Sequence, residues 1–253
     1  GLVFVLLPSG TFWMGAQKGD SNGPNYDPEA RSDEGPPHAV TLSAFFLSKY
    51  EMTQDQWLRF TGQNPSYYKP GSLAESLMHP VEQVSWPDCR DVMERLGLSL
   101  PSEAQWECGA RGGTRSVWWT GNERDSLMGA VNLADRAARR AGATWPDLED
   151  WPELDDGYAV HAPVNEYRAN AIGLHNVHGN VWEWCLDGYD GNFYRHPSSR
   201  DPVSLPEGSS SRVTRGGCFD DAAAGARSAD RGDNPPSSAF NRLGLRPSRG
   251  ITP

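Results

Sequence analysis

Four cysteines and two neighbouring histidines are the residues of this sequence best suited to redox or metal chemistry. The cysteines form no C-x-x-C pair, so their spacing argues against a structural zinc site of that type and against a thioredoxin-like motif. We expect them to be buried, reduced thiols; the alternative is one disulfide, for which Cys185 and Cys218 are the best pair because both adjoin predicted strands. The four residues are Cys89, Cys108, Cys185 and Cys218.

The histidines in question, His175 and His178, are close in the sequence. A facial iron site also needs a carboxylate, and none stands in a recognisable register with this pair. The chain also lacks the Gly-x-Ser-x-Gly elbow on which a Ser-His-Asp hydrolase would depend. We therefore expect both histidines to be surface residues rather than ligands.

Charge and composition exclude two classes of partner. The 253 residues carry 23 basic and 33 acidic side chains, a formal net charge of −10, with no basic stripe to follow a phosphate backbone. The longest apolar run, residues 2–7, is far too short to cross a bilayer. We therefore expect neither nucleic-acid binding nor membrane insertion, and the localisation stays open. The 10 Trp, 27 Gly and 20 Pro favour a turn-rich protein with an aromatic core.

Local signals place these residues on short strands and helices. Residues 2–7 and 11–14, separated by the turn residues 8–10, read as a β-hairpin, and 38–42 and 44–47 as further strands. Capping residues then predict three helices, which begin after Thr53, Ser85 and Ser102. Residues 17–37 are expected to form a long surface loop that hugs the domain, and 114–168 to be irregular unless ions or ligands hold them. Strand-like pieces return at 180–184, 212–215 and 243–246.

Six motifs, in this order, carry a resemblance to a known family: residues 10–15 (GTFWMG), 50–54 (YEMTQ), 80–86 (PVEQVSW), 100–107 (LPSEAQWE), 173–184 (GLHNVHGNVWEW) and 215–217 (RGG). Together the motifs resemble the formylglycine-generating-enzyme, or sulfatase-modifying-factor, family from the first strand to the C-terminus. The resemblance implies one α+β domain over residues 1–253 with a C-type-lectin-like fold: a small twisted antiparallel sheet, flanking helices and many loops. Leu245 stands where the family has Phe, and we expect this core change to be tolerated.

The enzymatic branch of this family, as the resemblance implies, oxidises a substrate cysteine with two closely placed cysteines that bind copper. In this chain the corresponding segment, residues 217–227, holds Cys218 alone. We therefore expect no copper and no catalytic residues.

A second branch comprises the variable proteins of diversity-generating retroelements, which display a hypermutated binding face on the same fold. Residues 216–246 resemble their variable region, because small and polar residues fill the stretch between Arg-Gly-Gly and the closing Leu-Gly-Leu-Arg. The resemblance predicts recognition of a protein or surface ligand, with Phe240 as a natural anchor. An ordinary loop in a catalytically dead homologue and an enzyme with altered chemistry remain alternatives. The candidate contacts are Phe219, Asp220, Asp221, Ala223, Ala224, Asp230, Gly232, Asp233, Asn234, Ser237, Ser238, Phe240, Asn241 and Arg242.

The resemblance also implies two structural calcium sites, because enzymatic relatives hold two calcium ions. Oxygen ligands of the kind that calcium prefers occur at the matching positions of this chain. The alternatives are that Asp156 belongs to a simple turn and that Glu183 pairs with an arginine. The first set is Asn132, Leu133, Asp156 and Tyr158, and the second is Asn176, Gly179, Val181 and Glu183.

Overall fold

The strands of the molecule form three small sheets. A computed structural model describes residues 1–195, 200–205 and 210–251; His196 lies outside these ranges. The strands in these ranges are β1 (Phe4–Leu7), β2 (Gly10–Met14), β3 (His38–Leu42), β4 (Phe45–Ser48), β5 (Trp182–Gly188), β6 (Arg212–Arg215), β7 (Gly232–Asn234), β8 (Leu243–Gly244) and β9 (Ser248–Gly250). The sheets have the orders β1-β4-β9, β2-β3 and β7-β6-β5-β8.

The predicted N-terminal hairpin is wrong. β1 pairs with β4, with Phe4 opposite Ser48, whereas β2 pairs with β3, with Gly10 opposite Leu42. The turn after Leu7 therefore passes the chain from one sheet to the next. A local turn signal shows where the chain bends, but it does not show which strand supplies the hydrogen bonds.

In the described part of the chain, four α-helices follow β4 and precede β5 in sequence, and the three predicted from caps are confirmed. Thr53 and Gln56 form a reciprocal capping box, as do Ser102 and Gln105, and the Ser85 side chain accepts from a backbone N–H of the first turn. The helices are α1 (Gln54–Thr61), α2 (Trp86–Arg95), α3 (Glu103–Arg111) and the short α4 (Arg136–Arg140).

Aromatic side chains fill the two main parts of the core. Trp106 on α3 packs with residues of β1 to β4, and Trp184 on β5 packs with Trp57 and Trp86 of the first two helices. Leu245, the residue that departs from the family, is fully buried in the second cluster. Trp13 and Trp182 are only half-buried, so they frame the core rather than fill it.

The irregular middle of the chain has a core of its own. Residues 114–168, all of which the structure describes, contain α4 and two 3₁₀ turns, Arg124–Leu127 and Pro146–Glu149, and no other helix or strand. Trp118, Trp151 and Leu154 are buried there together with Ala223 and Ala226 of the C-terminal segment. The middle region therefore packs directly beneath part of the predicted binding region.

The cysteines follow the sequence prediction of reduced thiols, whereas His178 departs from its prediction. All four cysteines are free thiols, so the disulfide considered for Cys185 and Cys218 is absent. His178 is fully buried rather than on the surface, and its Nε2 accepts the N–H of Trp119 at 3.1 Å. Burial, with a smaller contribution from Arg111, lowers the pKa of His178 to about 3. Among the described residues no helix is long and apolar enough to span a membrane.

Candidate functional site

The predicted binding region divides into two parts with opposite exposure. We call residues 218–231 the inner half and residues 232–242 the outer half. Phe219, Ala223 and Asp230 of the inner half are buried, whereas Asp220, Asp221 and Ala224 are partly exposed. In the outer half Asp233, Ser237, Phe240 and Arg242 are exposed, and Gly232, Asn234, Ser238 and Asn241 are partly exposed.

Buried ion pairs hold the inner half to the rest of the domain. Arg231 donates to both oxygens of Glu103 on α3, at 2.7 and 2.8 Å. Arg227 donates to both oxygens of Glu34 at 2.8 Å, and to Asp27 at 2.7 Å. Burial alone would raise the pKa of Glu103, but the neighbouring arginines outweigh it, and the pKa lies below its usual value.

A partly exposed ion pair also secures the loop before β3. Asp230 accepts from Arg31 at 2.6 Å, across 199 positions of sequence. Ala30 and Glu34 of this loop are buried, so the segment predicted to lie on the surface at 17–37 closes over the inner half. The loop and the inner half thus form one ionic layer over α3.

The outer half is held by its backbone instead. β7 pairs with β6, with Asp233 opposite Val213, and β8 lies parallel to β5. Between the two strands the carbonyls of Pro236 and Phe240 accept the N–H groups of Trp86 and Gln83. Because few of these bonds use side chains, the side chains of the outer half are largely free to face solvent.

Aromatic residues from other parts of the chain lie beside the outer half. They were not predicted from the sequence. Tyr67 is 62% exposed, and the hydroxyl of Tyr68 lies 3.1 Å from the Asn241 Nδ2 that donates to it. Trp145 and Tyr68 pack against Phe219, with ring centroids 5.4 and 5.8 Å away. The available signal was the Tyr-Tyr pair inside a Pro- and Ser-rich loop, a composition that favours exposed anchors.

Beneath this face lies a chain of buried neutral groups. The N–H of Glu75 donates to His79 Nε2 at 3.4 Å, so Nδ1 of His79 carries the proton and donates to Nδ1 of His161 at 2.9 Å. His161 Nε2 then faces Glu82 Oε1 at 3.7 Å. Burial lowers the pKa of His161 to about 3 and raises that of Glu82 to about 8. The layer supports the face without placing a charge under it.

Ala223 and Ala224 lie in a different place from the outer half. They line a cleft of about 560 Å³ together with carboxylates that include Glu29, Glu123 and Asp125. The structure therefore does not bring all of the predicted contact residues onto one surface.

The first predicted calcium set is assembled in space. The carboxylate of Asp156 accepts from the Asn132 side chain at 3.2 Å and from the N–H groups of Leu133 and Tyr158 at 3.0 and 2.9 Å. Asn132 Oδ1 is buried without a hydrogen-bond partner among the described residues. Burial, and next the charge of Asp135, raise the pKa of Asp156. An unpartnered amide oxygen on a residue that contacts the Asp156 carboxylate fits a hard cation.

The second set is differently arranged. Asn176 Oδ1 is likewise unpartnered among the described residues, and Gly179 and Val181 follow it in the buried turn before β5. The Glu183 carboxylate, however, accepts from Arg246 at 2.6 Å and from Trp106 Nε1 at 2.7 Å. This arginine pair is the alternative considered for Glu183 from the sequence.

Comparison with known proteins agrees with this architecture. The chain matches the sulfatase-modifying factor enzyme 1-like domain over residues 3–251. It is 32% identical to the formylglycine-generating enzyme of Thermomonospora curvata over 297 aligned positions, which cover 96% of this chain and 91% of that enzyme.

Two solved structures have a similar fold. The structure of PvdO from Pseudomonas aeruginosa superposes with a TM-score of 0.77 at 24% identity, covering 98% of this chain and 94% of PvdO. Variable protein 1 of Treponema denticola gives 0.74 at 21% identity, with 98% and 95% coverage. The predicted α+β fold of C-type-lectin-like, formylglycine-generating-enzyme type is confirmed.

Proposed function

The chain belongs to the family of sulfatase-modifying factor enzyme 1-like domains, and we propose that within this family it is a non-catalytic recognition protein. Its ligand-binding surface is centred on the outer half, residues 232–242, and includes the neighbouring aromatic residues Tyr67 and Tyr68. The ligand is a protein or another surface-borne molecule. The face carries no basic stripe that would suit a nucleic acid.

The observation that carries this proposal is the contrast between backbone and side chains in the outer half. Both ends are strands of one sheet, yet Phe240 is 45% exposed and Asp233 and Ser237 are also exposed. An aromatic anchor ringed by short polar side chains suits protein recognition, because it offers buried area and directional hydrogen bonds at a low cost in rotamer entropy.

We extend the proposal to diversification of this face, as in the variable proteins of diversity-generating retroelements. Support comes from the order Arg-Gly-Gly, polar segment, Leu-Gly-Leu-Arg, and from the exposure of Asp233, Ser237 and Phe240. Gly232 is an exception in the outer half, because a Cβ there would clash with the buried Thr214 side chain. By the same reasoning Arg227, Asp230 and Arg231 of the inner half should stay constant.

Sequencing the gene and its surroundings in related isolates tests this extension. We expect a reverse-transcriptase gene, a near-identical template repeat, and substitutions concentrated at exposed positions of residues 232–242. Invariance at the exposed residues Asp233, Ser237 and Phe240, or changes equally frequent at Arg227 and Arg231, would contradict diversification.

The competing function is oxidation of a substrate cysteine. The 32% identity to the Thermomonospora enzyme supports this alternative. The only cysteine of residues 216–246 is Cys218, and it is fully buried. Incubating the protein with a cysteine-containing peptide, copper and oxygen should leave the peptide thiol unchanged beyond the rate without protein. Catalysed loss of the thiol would overturn the non-catalytic assignment.

We also propose a structural calcium ion at the first predicted set. Asn132 and Asp156, with the backbone at Leu133 and Tyr158, would hold it. The unpartnered amide oxygen of Asn132 and the raised pKa of Asp156 support this assignment, because a bound cation would satisfy the first and offset the second. The ion would lock the irregular middle region against the turn that precedes β5.

A further inference from the structure

At the start of the inner half, three potential metal ligands converge. Cys218 Sγ lies 2.8 Å from Asp220 Oδ1 and 3.1 Å from Asp221 Oδ2, and its single S–H proton is shared between the two carboxylates. The three ligand atoms lie within 4.8 Å of one another, and in the described part of the chain no other trio of His, Cys, Asp and Glu side chains is so close. One sulfur and two oxygens thus surround a common point.

The two carboxylates of this group are paired with fewer positive charges than they carry negative charges. Arg242, 2.7 Å from Asp220, is the cation paired with these side chains. Burial and the two carboxylates raise the pKa of Cys218 well above its usual value, and burial raises that of Asp221 to about 6. A serine hydroxyl could make the same hydrogen bonds, so hydrogen bonding alone does not require a thiol at this position.

An approach to the group exists from the outer half. Cys218 is fully buried, but the Asp220 side chain is 13% exposed and that of Arg242 is 46% exposed. Movement of the Arg242 side chain would uncover the carboxylate and open a path to the thiol. On the other sides the neighbouring Phe219 packs against Trp145 and Tyr68, which keeps the surroundings apolar.

We propose that Cys218, Asp220 and Asp221 bind a divalent transition-metal ion of the zinc class. The sulfur and one oxygen from each carboxylate supply three ligands, and the fourth position stays open to water or to a donor atom of a ligand. On binding, the thiol loses its proton to solvent and Arg242 leaves Asp220. The proposal stands independently of the recognition function proposed above.

The choice of ion follows from the ligand atoms. Zinc accepts thiolate and carboxylate together in a tetrahedral site, and three protein ligands with a fourth position open to water or substrate are the arrangement of catalytic zinc sites. Calcium takes six to eight oxygens and no sulfur. The spacing rule that argued against a C-x-x-C site in the sequence does not apply to this Cys-Asp-Asp set, which relies on one cysteine only.

Titration of the full chain with zinc and with cobalt, in saturating calcium, tests the site. Calorimetry should show one equivalent of zinc, and cobalt should give the near-ultraviolet charge-transfer band of a thiolate ligand. C218S should keep the wild-type melting temperature, lose the cobalt band and weaken zinc binding by about tenfold or more. D221N should weaken zinc binding as well, which covers the case in which C218S is poorly folded.

Two matched variants complete the test. C108S replaces a partly buried cysteine on α3, away from the proposed site, and should leave zinc binding unchanged. R242A should bind zinc more tightly, because the competing cation is gone. Absence of stoichiometric binding, a cobalt band that survives in C218S, or weaker zinc binding in R242A would overturn the proposal.

Discussion

The inner and outer halves of the C-terminal segment are adjacent in sequence but are held in opposite ways. The inner half depends on side chains: Arg227 and Arg231 reach Glu34 and Glu103 through buried, paired hydrogen bonds. The outer half depends on main-chain bonds at β7 and β8, and it presents its side chains to solvent. Specificity can therefore change at the exposed positions of the outer half at little cost in folding free energy, whereas the buried arginines of the inner half have no such freedom.

The largest expected effect is on the inner half. Arg231→Ala should reduce the free energy of unfolding by about 3–5 kcal/mol, because it leaves the buried Glu103 carboxylate without its bidentate partner. Urea denaturation measures this loss. The matched control is Arg242→Ala in the outer half, whose exposed ion pair should contribute less than about 1 kcal/mol. Equal losses in the two variants would remove the distinction between the halves.

Calcium removal should have the next largest effect. At free calcium 100-fold above the Kd, chelation should lower the stability by about 3 kcal/mol. Hydrogen exchange should rise first at Phe219, whose N–H bonds to Asn180, a residue that in turn donates to Asn132. Protection in β7 of the outer half should change less. A melting temperature indifferent to chelator would refute the calcium assignment.

The pH dependence of the chelator effect follows from Asp156. Burial and Asp135 raise the pKa of its carboxyl, so without calcium this group contributes stability below its unfolded pKa of about 4 and loses it as the pH rises through the folded pKa. Calcium offsets that loss. The chelator should therefore lower the melting temperature more at pH 8 than at pH 6, and Asp156→Asn should abolish the difference.

A smaller effect is expected where the outer half meets the Tyr67–Tyr68 loop. Asn241→Ala removes the hydrogen bond to the Tyr68 hydroxyl and should reduce stability by about 1 kcal/mol. Tyr68→Phe should act similarly. In a double-mutant cycle the two losses should not add, whereas full additivity would show that this contact is not formed in solution.

The smallest effect on stability is expected at the tip of the outer half. Phe240→Ala should change the free energy of unfolding by no more than about 0.5 kcal/mol, because nearly half of the residue is exposed. Its affinity for a protein partner selected by display against the wild-type chain should fall by about 30-fold or more. Asp221→Ala is the contrast, since Asp221 accepts the N–H of Cys218 and its loss should destabilise the fold. An unfolded Phe240→Ala variant would place the ring in the core.

Local patterns predicted much of this fold, and their failures share one cause. The capping pairs at Thr53 and Ser102 located two helices because all of the relevant atoms lie within one turn. The prediction of a hairpin between β1 and β2 was wrong because the partner of each strand lies tens of residues away. His178 was misplaced for a similar reason: in the structure it is buried and accepts the backbone N–H of Trp119, 59 positions away, and no local pattern reports that contact.

The candidate face was only partly predictable. The family resemblance located residues 216–246, and short polar residues marked the exposed outer half. The burial of Asp230 and the contribution of Trp145 depend on contacts that bring together residues far apart in sequence, such as Arg31 with Asp230. Side-chain type alone cannot distinguish an aspartate that faces a partner from one that neutralises a buried arginine.

The two strands that bracket the outer half have a consequence for engineering. β7 and β8 belong to one sheet, so the points at which the connecting stretch leaves and re-joins the scaffold are fixed. For a loop closed between fixed points, doubling the length costs only about 0.6 kcal/mol of closure entropy. The domain is thus suited to accept foreign peptides of varied length between Asn234 and Leu243, as an insertion scaffold.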